Sequence, residues 1–197
     1  MKASLLVALL SAVLAQAPGT SGPDPEGFIR HWLVLAPIAI EENSGASEIE
    51  KDFLKGEASI KPKAGDKAMA GPTELTWVAH TAPDFFIDFL AAFGKERGEQ
   101  VAAYAVTYVV ADDAMTVKLA MGSNDQAKVW LNGQPVLKFI ETRTLEKDSD
   151  SADVSLVKGQ NVVVFKVVNE VNNWQGCLRF MKDGAPVKNL KISLTPQ

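Results

Sequence analysis

Two stretches in the second half of the chain dictate how it can fold. Residues 122–133 read Gly-Ser-Asn-Asp-Gln-Ala-Lys-Val-Trp-Leu-Asn-Gly, and residues 158–169 read Lys-Gly-Gln-Asn-Val-Val-Val-Phe-Lys-Val-Val-Asn. In each, a polar turn feeds a run of β-branched and aromatic residues. Asn132-Gly133 predicts a two-residue hairpin turn, because Asn and Gly both tolerate positive φ. Residues 162–168 predict a strand buried along most of its length. Residues 115–121 alternate, with Met115, Val117, Leu119 and Met121 on one face.

Other segments extend the pattern. Residues 100–110, 135–140, 154–157, 176–181 and 187–194 also read as strands. In the first half, residues 28–40 predict a strand closed by Pro37, and residues 74–80 a short one. Residues 41–55 fit a short helix or a surface loop, and residues 56–72 read as loop. Residues 84–93 suit both periods and read as a short strand or irregular segment. Residues 147–153 read as a polar loop. Roughly nine or ten short strands punctuated by turns predict an all-β chain, an antiparallel β-sandwich with at most one short helix.

The ends and the charge bound the function. Lys2, an apolar run over residues 5–14 and Ala15-Gln16-Ala17 have the plan of a secretory signal peptide over residues 1–17. That run is shorter than the roughly 20 residues needed to span a bilayer. Residues 18–27, rich in Pro, Gly and Ser, predict a flexible segment, and residues 28–197 the sandwich domain. An exported protein, periplasmic or extracellular, is expected, with no membrane insertion after cleavage. The net charge is −4, with no basic cluster, which argues against nucleic acid or an anionic membrane as partner. Cys177 is the single cysteine. It permits no intramolecular disulfide and reads as a small buried hydrophobe.

Several pieces in order carry a resemblance. They are Trp-Leu-Val-Leu-Ala-Pro (32–37), Asp-Phe-Leu-Lys-Gly-Glu (52–57), Leu-Thr-Trp (75–77), Ala-Tyr-Ala-Val-Thr-Tyr-Val (103–109), the 122–133 stretch, Lys-Gly-Gln-Asn (158–161), Lys-Val-Val-Asn (166–169) and Trp-Gln-Gly-Cys-Leu-Arg (174–179). Together they resemble the secreted galactose-binding-like (jelly-roll) β-sandwich modules of bacteria. One departure is Ala36-Pro37-Ile38, where such modules often carry Gly-Pro-Phe. The resemblance implies a non-catalytic module that recognises carbohydrate, without naming the sugar.

The candidate ligand residues follow from sugar chemistry. Sugar rings stack on exposed aromatics, while Asn, Asp and Arg side chains take the hydroxyls. Trp174, after Asn172-Asn173, is the candidate platform, with Asn173, Asn124, Asp125 and Arg179 as polar partners. Trp32, Trp77 and Trp130 lie within apolar runs and read as core. Arg143 has the fork to clamp a carboxylate, although surface ion pairing is its ordinary use. No cofactor is expected. A structural calcium ion is the open alternative, through Asn124 and Asp125 or through Asp148, Asp150 and Asp153. The ordinary reading of both is turn chemistry and solvated loop. His31 and His80 lack ligand spacing for zinc. There is no Gly-x-Ser-x-Gly, phosphate-binding glycine loop or His-Glu-x-x-His, so an enzyme is not expected. The partner is a carbohydrate or, in the second reading, an envelope protein held through a sheet face or edge.

Overall fold

The computed structural model describes residues 21–42 and 44–197. The expected signal peptide lies outside the described residues. In chain order the elements are β1 (His31–Ala39), α1 (Gly45–Glu48), β2 (Lys67–Ala70), β3 (Thr73–Thr76), β4 (Val78–Thr81), β5 (Ile87–Asp88), α2 (Phe89–Phe93), β6 (Val101–Ala111), β7 (Met115–Asn124), β8 (Ala127–Leu131), β9 (Gln134–Phe139), β10 (Asp150–Leu156), β11 (Gly159–Asn169), β12 (Gln175–Lys182), β13 (Ala185–Pro186) and β14 (Lys191–Ser193). Single 3-10 turns lie at Glu57–Ser59 and Lys95–Arg97.

The strands form an antiparallel β-sandwich. The larger sheet runs β4-β1-β6-β11-β8-β9, with β14 also on β6. The smaller runs β10-β7-β12-β13, with β5 also on β12. Hairpin β2–β3 stands apart as a two-stranded sheet. The β8–β9 turn is the expected one: Asn132 and Gly133 have φ of 51° and 82°.

Period-two alternation sorts the large sheet's side chains between two cores. Trp32, Ala103, Ala105, Val129, Phe165 and Val167 point inward against Leu119, Met121, Leu178 and Phe180 of the smaller sheet. Leu33, Leu35, Tyr104, Val106, Tyr108, Trp130 and Val164 point outward and are still buried. Ile49, Leu54 and Trp77, from the excursion between β1 and β4, cover them. This explains why β6 and β11 read as continuous apolar runs: both faces of their sheet are out of water.

The structure departs from several sequence expectations. Residues 74–80 are not one strand: Trp77 separates β3, paired with β2, from β4, paired with β1. Pro37 does not close β1 but sits in a register shift between Leu35 and Ile38, where its missing N–H breaks no ladder bond. Residues 84–93 satisfy both periods, as two-residue β5 and then α2, whose first turn is capped by Asp88 Oδ1 accepting from Ala91 N at 3.0 Å. Among the described residues there are thus two short helices, of four and five residues, where at most one was expected. Residues 150–153 belong to β10, not to a loop. The described part of the N-terminal segment is not free. Ser21 pairs with Ile192, and Asp24 Oδ1 accepts from the backbone N–H of Glu26 and Phe28, each at 2.9 Å.

Candidate functional site

At one end of the sandwich, the β7–β8 turn, the loop after β9 and the β11–β12 connection enclose a cleft of about 440 Å³. Three expected residues meet there: Asn124, Asp125 and Asn173. They are joined by Thr142, Thr144, Glu170 and Asn172. Asn124 ends β7, and its side chain and that of Asp125 are nearly buried at the cleft floor. Asn172 and Asn173 are exposed at the rim. Asn172 has a φ of 67°, a left-handed conformation that Asn accepts more readily than most residues.

Asp125 holds the walls together. Its Oδ1 accepts from Arg143 N at 3.2 Å, and its Oδ2 from Glu170 N at 3.1 Å. One carboxylate therefore ties two loops that are distant in sequence. Its backbone oxygen accepts from Ser123 Oγ at 2.7 Å. Burial raises the Asp125 pKa, while the two backbone N–H donors pull it back. Glu170 is fixed as well, with Oε1 accepting from Gln126 Nε2 at 2.7 Å.

Arg143 lines the cleft with its fork already committed. Nη2 donates to Ser123 Oγ at 2.8 Å and lies 2.5 Å from Asp150 Oδ2. Nε faces the Ser123 backbone oxygen at 3.2 Å. The guanidinium carbon stands 3.6 Å from the centre of the Phe139 ring. Arg143 is therefore a brace for the loop rather than an open clamp for a ligand carboxylate.

The remaining expected residues lie elsewhere. Trp174 is not an exposed platform. It is fully buried between the sheets, stacked on Phe89 at a centroid distance of 4.8 Å, and its Nε1 donates to the Val167 oxygen at 3.3 Å. As the residue just before β12, it points into the interior, where the apolar ring is most stable. Arg179 stands four residues along β12 from the Asn124 register, roughly 13 Å away. It is ion-paired with Asp148, packs on Phe28 and donates to the Glu26 oxygen at 2.7 Å. Its neighbourhood is a separate aromatic-cationic cluster, in which Lys147 Nζ sits 4.3 Å from the Phe85 ring centre.

The acidic stretch at 148–153 does not gather its carboxylates. Asp148 faces Arg179, Asp150 faces Arg143 and Asp153 faces Lys118. Among the described residues, no group of three or more His, Cys, Asp or Glu side chains converges as metal ligands would. A second depression, of about 520 Å³, lies on the outer face of the smaller sheet between Lys118, Ser151 and Met181. It gathers none of the expected cleft residues.

Sequence reasoning missed Glu170, Thr142 and Thr144. Their only local signal was a position at or beyond a strand end, which marks loops without saying which loops meet.

No protein-family model and no curated sequence matches the chain. Among solved structures it is similar to the PA14 domain of the MpAFP antifreeze protein. The two are 11% identical with a TM-score of 0.44, over 90% of this chain and 96% of that one. The fold and the cleft define an antiparallel β-sandwich with a polar pocket built from loops at one end.

Proposed function

We propose that this protein is an exported, non-catalytic binding module of the galactose-binding-like kind that recognises carbohydrate in the Asn124–Asp125–Asn173 cleft. The observation that carries the reading is the convergence of amide, carboxylate and hydroxyl side chains in one pocket. Asn side chains both donate and accept, which matches the hydroxyls of a sugar. The volume falls within the ordinary range for small-molecule sites. With Trp174 inside the core, the apolar contact comes from Val171, which lines the cleft and is 48% exposed. Asn124, Asp125 and Glu170 also carry oxygen donors of the kind calcium takes.

A panel of glycans and polysaccharides, screened with calcium and with a chelator, tests the reading. Asn172→Gly, which keeps the positive φ, and Asn173→Ala, both at exposed positions, are expected to abolish binding with thermal stability little changed. Binding that survives both substitutions removes the cleft from the proposal. If folded protein binds no glycan under either condition, the carbohydrate reading fails.

A second reading, an envelope protein held by β-strand addition, is favoured by β4. Among the described residues that strand pairs only with β1, and it carries Val78 at 47% exposure.

A further inference from the structure

The outer core holds a polar cluster that the cleft does not use. Lys166 and Tyr104 are direct partners across the β11–β6 pair. Both lie on the sheet face covered by the excursion between β1 and β4. Lys166 is fully buried, and Glu57, from the first 3-10 turn, is 2% exposed. Lys166 Nζ donates to the backbone oxygens of Ile49 at 3.2 Å and Lys51 at 2.6 Å. It lies 3.6 Å from Glu57 Oε2. The Tyr104 hydroxyl donates to that same Oε2. Glu57 Oε1 is buried and has no hydrogen-bond partner among the described residues. The Asp52 carboxyl is near enough to act on Glu57, raising its pKa. The Phe53 ring, centred 4.6 Å from Nζ, closes the site with apolar surface.

Held as an ion pair, these groups set two charges in a region from which water is excluded, an arrangement that contributes little to stability. Burial acts against both charges. It brings Lys166 down to about 8 and raises Glu57. Both shifts act toward the neutral amine and the protonated acid, the two reactants of amide formation; with Lys166 at about 8 the amine is the minor form at neutral pH. The hydrogen bonds are arranged for the same step. Two N–H groups on the Ile49 and Lys51 oxygens leave the nitrogen lone pair free, and a hydroxyl on Oε2 polarises the carboxyl carbon.

We propose that Lys166 and Glu57 are joined by an intramolecular amide cross-link between their side chains. The Nζ lone pair adds to Glu57 Cδ, with charge developing on Oε2 under the Tyr104 hydroxyl. The Asp52 carboxylate takes the proton released by the amine and returns it to the departing Oε1. The Cδ–Oε1 bond breaks, and Oε1 leaves as water with that proton and its own. One amine and one acid become one amide and one water, with no change of oxidation state. Asp52 is exposed, which gives the water a way out. The bond ties β11 to the excursion that covers the large sheet, in a chain whose single cysteine allows no internal disulfide.

The test is the intact mass of purified, denatured protein, referred to its sequenced N-terminus. The expected mass is short of the sequence mass by one water. Protease digestion is expected to give a branched peptide joining the segments that contain Glu57 and Lys166. Lys166→Met restores the full mass, and Asp52→Asn leaves folded protein wholly or partly uncross-linked. A folded wild-type sample at full sequence mass overturns the proposal. So does a mass deficit that persists in Lys166→Met. The wild-type measurement decides even if the variants do not fold.

Discussion

The backbone oxygen of Glu146 lies directly over Gly122: a Cβ at position 122 would stand 2.0 Å from it and 3.1 Å from Cys177 Sγ. Only hydrogen fits between β7 and the loop that follows β9. That loop carries Arg143 to Asp125 and Asp148 to Arg179. The requirement at Gly122 is therefore close approach, not a special φ. Gly122→Ala is expected to cost about 1–3 kcal/mol or more, the usual range for overpacking. It should also weaken ligand binding by lifting one wall of the cleft. Chemical denaturation with binding at a temperature where the variant is folded checks both effects.

Trp174 supports the core from a position that reads like a binding loop. Trp174→Ala removes the ring stacked on Phe89 and should cost about 3–5 kcal/mol. Under conditions where the variant stays folded, affinity for the cleft's ligand should be unchanged. A specific loss of affinity at full stability would place the ring in the site after all.

The Cys177 thiol should be silent in the native protein. Burial is the main cause that pushes it up to about 12, so the thiolate is scarce at about pH 8 and shielded as well. A thiol reagent should label the folded protein no faster than the protein opens, and label it at once in denaturant. Rapid labelling of folded protein would contradict this.

Asp125 links the cleft to pH. Its folded pKa is raised above the ordinary value of 3.8, chiefly by burial. The folded state therefore holds this proton more tightly than the unfolded chain. The corresponding stability is complete below pH 3.8 and is lost as pH rises through the folded value. Asp125→Asn has no such slope. It also loses one acceptor for the Glu170 or Arg143 N–H, a cost of about 1–3 kcal/mol for a buried donor left unpaired. The stability gap between wild type and variant should thus be widest in acid and narrow toward neutrality. Paired melting curves across that range measure it, and a gap that widens with pH would contradict the assignment.

Local chemistry made much of the sheet legible. The Asn132-Gly133 turn, the alternation of residues 115–121 and the long β-branched runs of β6 and β11 all express backbone preferences within a few residues. These are decided by steric and burial periodicity that any reader of the chain can follow. Asn124, Asp125 and Asn173 were legible as candidates for the same reason, since Asn and Asp beyond strand ends either cap turns or meet ligands.

What the sequence by itself determined was therefore the class of fold and the polarity of its loops. Tertiary structure alone decided which loops meet and which faces are covered. Trp174 looked exposed because polar residues precede it, yet the pairing of β12 with β7 turns its ring into the interior. Residues 74–80 looked like one strand, yet Trp77 anchors the chain in the outer core, and β3 and β4 part to different sheets. Lys166 interrupts an apolar run with a charge, and only the register with Tyr104 and the placement of Glu57 give that amine its neighbours. Those outcomes depend on contacts between residues far apart in the chain, which local periodicity does not encode.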